Sequence, residues 1–217
     1  YVDNSISSYL SQLDRIKSFE PSYKLKIEIE LNFVDNTIVI KDNAGGIESS
    51  KYEYAFRAAE IPDDTTGLNE FGMGMKTASS WLANKWTVRT SATDEDVERT
   101  IQFNVNEVVD NDIHELVAKE KVVSNNEHYT IITLDELTGN APLHRDIGKI
   151  RKHLASIHRK FIRRDDISIF LNNEELTYED QDVLVAPRWD DDSGKEITWK
   201  IEGESPTQRR PTQALDE

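Results

Sequence analysis

Residues 42–47 read Asp42-Asn43-Ala44-Gly45-Gly46-Ile47 and follow directly on the run Thr37-Ile38-Val39-Ile40. A short β-branched run of this kind is a strand, and the carboxylate stands where the strand ends. The chain has only nine glycines, and five fall in two short clusters: Gly45 and Gly46 here, then Gly67, Gly72 and Gly74. Glycine is favoured where backbone must approach a ligand or take positive φ. A strand-final carboxylate followed by Ala-Gly-Gly can accept from an exocyclic amine in a pocket that the glycines keep open. Taken alone, Asp42 also reads as an ordinary turn former.

Working outward from this stretch, residues 24–33 alternate strictly. Leu25, Ile27, Ile29, Leu31 and Phe33 oppose Lys24, Lys26, Glu28, Glu30 and Asn32. That is a half-buried strand, turned at Asp35-Asn36 into the second one to make a hairpin. Before it, Val2, Ile6, Tyr9, Leu10, Leu13 and Ile16 recur at helical spacing until Pro21 stops the run. The pattern is already under way at Tyr1, so the chain reads as starting inside this helix. After the hairpin come a helix over Ser50–Ala59 and a loop at 61–67. The second glycine cluster follows and opens a helix that runs to about Leu82. Strands are expected at 86–91, 100–105, 129–134, 167–171 and 197–201. A short helix is expected near 113–119, a long one over 145–163, and a loose tail from Ser205. Adjacent strands with interspersed helices predict an α/β (α+β) fold: a mixed, mostly antiparallel sheet with helices on one face.

Composition narrows the chemistry. The 217 residues carry 26 basic and 41 acidic side chains, a formal charge of −15, which disfavours nonspecific coating of nucleic acid by the whole surface. There are no cysteines, which excludes disulfides, thiolate catalysis and cysteine-held metals. No stretch approaches a membrane span or a signal peptide, so a cytoplasmic protein without a membrane partner is expected. The five histidines have no ligand spacing, and His153 and His158 fall on different helix faces. The four tryptophans read as packing residues rather than a stacking platform.

Three phosphate-loop patterns fail on the second cluster. Met75 stands before Lys76-Thr77 where a Walker loop needs glycine, and Thr77 stands where the dinucleotide and protein-kinase loops need one. What remains is Gly72-Met73-Gly74-Met75-Lys76 at a helix start, which suits polyphosphate through backbone N–H groups and a lysine. A glycine-rich turn before a core helix fits the same residues. Asn4, on the first helix, could complete a Mg²⁺ shell through its side-chain carbonyl.

Val2-Asp3-Asn4-Ser5-Ile6, Asp42 to Ile47, Gly67 to Lys76 and Thr130-x-Ile132-x-Leu134 resemble, in order and spacing, the four boxes of the GHKL ATPases. That family includes gyrase B, MutL, the large ATP-driven heat-shock chaperones, sensor histidine kinases and MORC proteins. The run Phe71 to Ser79 looks closest to the MORC-like and related prokaryotic branch, and the segment after Arg151 resembles the MORC continuation. The resemblance implies a Bergerat-type sandwich over 1–165 with a truncated N-terminus, and the start of a transducer-like α/β segment over 166–217. It implies ATP or ADP with Mg²⁺ as ligands. Asn4 would hold the metal, Asp42 would recognise adenine, and Gly46 with Ile47 would shape its pocket. Phe71, Gly72, Met73, Gly74, Met75 and Lys76 would close over the phosphates, with Lys76 near the terminal one. Thr130 would support Asp42, directly or through water. A nucleotide-dependent homodimer is implied, with DNA or a protein client engaged through regions outside the chain.

The resemblance has two departures. Hydrolysing members place a glutamate four residues before the asparagine, immediately before Tyr1, so slow hydrolysis is expected of the longer protein and binding with little turnover of this chain. Asp3 points elsewhere on the helix and is a poor substitute. The switch lysine of the transducer has only Lys195 and Lys200 as positional candidates. A non-hydrolysing nucleotide-gated interaction module is the alternative function. A sensor histidine kinase is disfavoured, because some eighty residues follow the fourth box and no phosphoacceptor helix pair is visible. Residues 148–164 hold seven basic side chains and no acid, which suits either a solvated helix face or a nucleic-acid- or partner-facing stripe.

Overall fold

The computed structural model describes residues 1–56, 74–111 and 116–179, without the side chains of Glu53, Tyr54 and Val109. Among the described residues, eight strands form one sheet: β1 (Leu25–Asn32), β2 (Thr37–Asp42), β3 (Ala83–Ser91), β4 (Val97–Asn104), β5 (Lys119–Val122), β6 (Tyr129–Leu137), β7 (Ile167–Leu171) and β8 (Glu174–Glu175). Their spatial order is β5-β4-β3-β6-β2-β1-β7-β8. Every neighbouring pair is antiparallel except β1 with β7, so the sheet is mixed and mostly antiparallel as expected.

The alternation of β1 sets the faces. Leu25, Ile27 and Leu31 are buried while the lysines and glutamates between them face outward, where Glu28 pairs with Lys26 and Lys41. The strand registers carry the inward face across the sheet as rows. One row runs Ile101, Val88, Ile132, Ile40, Ile29, Leu171, and the next Phe103, Trp86, Leu134, Ile38, Leu31. Helices α1 (Val2–Ser11), α2 (Leu13–Phe19), α4 (Gly74–Leu82), α6 (Ile147–Ile157) and α7 (Arg159–Ile162) cover this face. They contribute Val2, Ile6, Tyr9, Ile16 and Met75 to the buried cluster, and Ile147, Ile150, Leu154 and Phe161 at its margin. The remaining helices are α3 (Ser49–Phe56), whose first N–H is taken by Glu95, and α5 (Val105–Asp110), capped by Asn104.

Several expected elements shift. The first helix breaks at Gln12, yet Tyr9 and Ile16, seven residues apart, both stay on the core face. The long helix at 145–163 breaks at His158, after a 3-10 turn at His144–Asp146. The helix expected near 113–119 lies in part outside the described residues; residues 116–118 are not helical and Lys119 opens β5. All four residues of β5 are exposed, so no alternation marked it, and it exists by pairing with β4. Residues 167–175 supply β7 and β8 to the same sheet, within a compact unit that spans Tyr1–Tyr178. The expected end of the third helix at Ala59, the loop at 61–67, the strand at 197–201, the tail, Lys195 and Lys200 lie outside the described residues.

Asp166 ties the helical layer to the sheet. It accepts from Tyr9 Oη at 3.2 Å, Lys17 Nζ at 2.9 Å, and the Arg164 guanidinium at 2.9 and 3.0 Å. Arg164 first, and Lys17 after it, hold this carboxyl well below the usual range against the opposing effect of burial. A depressed folded pKa contributes stability that is present above the unfolded value and lost as pH falls through the folded one. Asp166→Asn is therefore expected to lower stability by about 1–2 kcal/mol at pH 7. The gap should narrow below about pH 4. Urea midpoints at the two pH values check this, and an equal gap at both would contradict it.

Candidate functional site

At one end of the inward face the apolar rows stop. The next row reads Arg99, Thr90, Thr130, Asp42, Ile27, Ile169, with four polar residues among six. Asp42 ends β2, is 6% exposed, and lies directly opposite Thr130. Ser5, on α1, donates to Asp42 Oδ2 at 2.7 Å, and the Ala44 N–H donates to Oδ1 at 3.0 Å. Burial raises the pKa of this carboxyl. The Ser5 hydroxyl, the Ala44 and Thr130 amides and His128 oppose that rise without cancelling it.

Thr90 fixes the polarity beside it. Its oxygen accepts the Ile47 N–H at 3.0 Å, and its own proton goes to the Tyr129 carbonyl at 2.9 Å. The Thr130 hydroxyl, 3.2 Å away, must therefore donate to Thr90, which leaves Thr130 lone pairs free to accept.

The loop after Asp42 is held at every carbonyl. Tyr23 Oη donates to Asn43 O at 2.7 Å, His128 Nδ1 to Ala44 O at 2.8 Å, Thr93 N to Gly45 O at 3.1 Å and Ser8 Oγ to Gly46 O at 3.3 Å. Gly46 has φ +70° and packs against the backbone of Ser91, where no side chain fits. The Gln12 side chain lies over Gly45. These contacts preset the loop, so little ordering remains when a ligand arrives.

The structure thus brings Asp42, Gly46, Ile47 and Thr130 together. Asn4 is half-buried next to Ser5, and its side chain has no hydrogen bond among the described residues. Gly74, Met75 and Lys76 open α4, with Met75 buried in the core. Helix α4 is joined to α1 by Tyr1 Oη and Ser79 Oγ at 2.9 Å. Lys76 lines a groove of about 490 Å³ with Trp81, Trp86 and Phe103, four residues along β3 from Thr90. A second cavity, of about 230 Å³, lies at the β1–β2 turn. Neither is lined by Asp42 or Asn4. Phe71, Gly72 and Met73 lie outside the described residues. No cluster of three metal-ligating His, Asp or Glu side chains occurs among the described residues, so a cation here would need a ligand's oxygens to complete its shell.

Ser5, Thr90, His128 and Gln12 were not anticipated. For Thr90 a signal existed. Trp86 and Val88 alternate inward and Thr90 continues them, so a polar residue falls at the level of Asp42.

A family model described as histidine kinase-, DNA gyrase B-, and HSP90-like ATPase matches residues 1–130. Among solved structures, the ATPase region of Saccharomyces cerevisiae topoisomerase II is similar at TM-score 0.54 and 16% identity, over 78% of this chain and 47% of that one. The same region bound to ICRF-187 (dexrazoxane) gives TM-score 0.53 and 16% identity, over 82% and 49%. At that identity the likeness shows the fold, and the chain spans about half the length of those structures. No curated protein matches the chain.

Proposed function

The chain belongs to the family of histidine kinase-, DNA gyrase B- and HSP90-like ATPases, and from that premise we propose that it binds ATP with Mg²⁺ and hydrolyses it slowly within a longer protein. The observation that carries this is the polar row Asp42–Thr130–Thr90 at the end of an otherwise apolar sheet face, beside the helix that bears Asn4. Asp42 would accept from the adenine amine and Thr130 would support it. Gly46 and Ile47 would shape the base pocket. Asn4, whose amide is not engaged by the described residues, would hold the metal. Gly72, Gly74 and the backbone around Phe71, Met73 and Met75 would cover the phosphates, with Lys76 near the last. The bound cation would offset phosphate charge.

Closure of the 61–76 segment on nucleotide would favour a dimer of two such chains, by differential affinity of the γ-phosphate for the closed state. The client would be DNA or a protein, in a MORC-like or prokaryotic defence setting, reached through a transducer that follows this domain. A nucleotide-gated module without turnover is the second reading: the carboxylate adjacent to Asn4 in the chain, Asp3, is half exposed, with Oδ1 3.6 Å from His158 Nδ1 and outside hydrogen-bond distance, so it is not held in a site.

Titration separates these readings. ATP with Mg²⁺ should raise the thermal midpoint of the chain, and Asn4→Ala should weaken Mg²⁺-dependent binding about 10-fold or more while sparing metal-free binding. Phosphate release then distinguishes enzyme from switch. A chain whose midpoint ignores ATP at millimolar concentration would overturn the proposal.

A further inference from the structure

We infer that the outer side of α6 and α7 is a docking surface for the phosphate backbone of duplex nucleic acid. Lys149 and Lys152, three residues apart, share one side of α6, and Lys160 lies on α7 beyond the break at His158. Arg159 flanks them, and all four cations are exposed. The opposite side, Ile147, Ile150, Leu154 and Phe161, packs against the core, so the charged side faces solvent.

What sets this stripe apart is that unpaired cations follow one another along it with no acid between them. Elsewhere in the chain Arg15, Lys17, Lys26, Lys51, Arg89 and Arg99 each sit against a carboxylate. Within the stretch itself Arg151 pairs with Glu174 at 2.8 Å and Arg164 with Asp166 at 2.9 Å, whereas the four stripe residues have no acidic partner among the described residues. Arg159 donates one N–H to the Ser156 carbonyl and keeps its charge unpaired. Residues 148–164 contain no acid in a chain of net charge −15. Charges farther than about 10 Å are largely screened at 0.1 M salt, so a phosphate near the stripe meets the local excess of cations rather than the net charge.

The chemistry of the surface selects the partner. The cations continue from Lys149 on α6 to Lys160 on α7, so the surface can meet more than one phosphate along a strand. Among the described residues of α6 and α7 the exposed side carries no Phe, Tyr or Trp on which unpaired bases could stack; its one ring is the His153 imidazole, and Phe161 is turned into the core. A double-stranded backbone fits this pattern better than a single strand.

The test is fluorescence anisotropy of the chain with a labelled DNA duplex across salt concentrations. Two triple variants are compared: Lys149→Glu, Lys152→Glu, Lys160→Glu, and a control of equal charge, Lys24→Glu, Lys119→Glu, Lys121→Glu. The control lysines are exposed and carry no ion pair among the described residues. The stripe variant is expected to flatten the slope of log affinity against log salt by about 2.7, and the control to change it little. At low salt the stripe variant should lose on the order of 10-fold or more in affinity. A Lys→Gln version of the stripe triple gives the same direction if the glutamates disturb folding. The inference is overturned if the parent shows no salt-sensitive binding at 50 mM salt or if both variants weaken equally. It is also overturned if polyglutamate or a single strand is bound as tightly as the duplex. Nucleotide binding, measured on the same samples, should be the same in all, so failure here is distinct from failure of the ATP reading.

Discussion

Asp42→Asn is expected to weaken adenine nucleotide binding by about 10- to 150-fold while leaving the fold as stable as the parent or more so. The two effects share one cause. Asp42 is nearly enclosed, and burial raises its carboxyl pKa despite the bonds from Ser5, Ala44 and Thr130. A raised folded pKa means that the ionised group costs stability at neutral pH, and that this cost disappears as pH falls below the unfolded value near 4. Asparagine removes the charge and keeps the shape. Its oxygen can still accept the Ala44 N–H, and the Ser5 hydroxyl can reverse to accept from the amide. The missing element is the anionic acceptor for an exocyclic amine. Thermal midpoints at pH 7 should therefore favour the variant, with the advantage shrinking towards pH 4, and parent affinity should decline through the same window as the carboxyl protonates. Unchanged affinity would refute the adenine assignment. A variant less stable than the parent at pH 7 would show that the bonds to the carboxylate outweigh its burial.

That pairing of strain and function explains which parts of the site were legible in the sequence. Asp42 was visible because a strand-final carboxylate before Ala-Gly-Gly is a local signal, and β1 was visible because alternation is local. The mixed sheet followed from both. Thr90 and Thr130 could be read as strand residues, but their meeting with Asp42 depends on two antiparallel registers that couple residues 40 and 88 positions apart. Ser5 was hidden beside Asn4 because its role depends on how α1 sits on the sheet. The break at Gln12 has no proline or glycine to announce it. Strand β5 has no inward side to alternate, and β7 pairs in parallel with β1 across more than a hundred residues, a contact that no local pattern encodes. Local chemistry thus named the residues most exposed to selection by a ligand, while partner residues belonged to the topology.

Gly46→Ala should be the most damaging single methyl in the described part of the chain. At φ +70° an alanine is strained before any contact is counted. Its Cβ would overlap the Ser91 carbonyl oxygen and lie 2.7 Å from that carbonyl's carbon and 2.8 Å from Ala92 Cα. Ser91 cannot withdraw, because it is the end of β3 and is paired with Glu98 on one side and Tyr129 on the other. The loop must move instead, and it is pinned by Tyr23, His128, Thr93 and Ser8. Strain and overlap together should cost about 3 kcal/mol or more, read as a shift in the urea midpoint, with nucleotide binding lost as the Asp42 loop is displaced. Gly45→Ala is the control one residue away. Its φ is not in the left-handed region, and the atoms its methyl would meet first are the end of the Gln12 side chain, which can turn aside. That variant should lose less than about 1 kcal/mol and keep binding. Equal losses at the two positions would mean that the loop is sensitive to any added bulk. A loss confined to Gly46 would tie the pocket's shape to the single point where loop backbone and strand backbone touch.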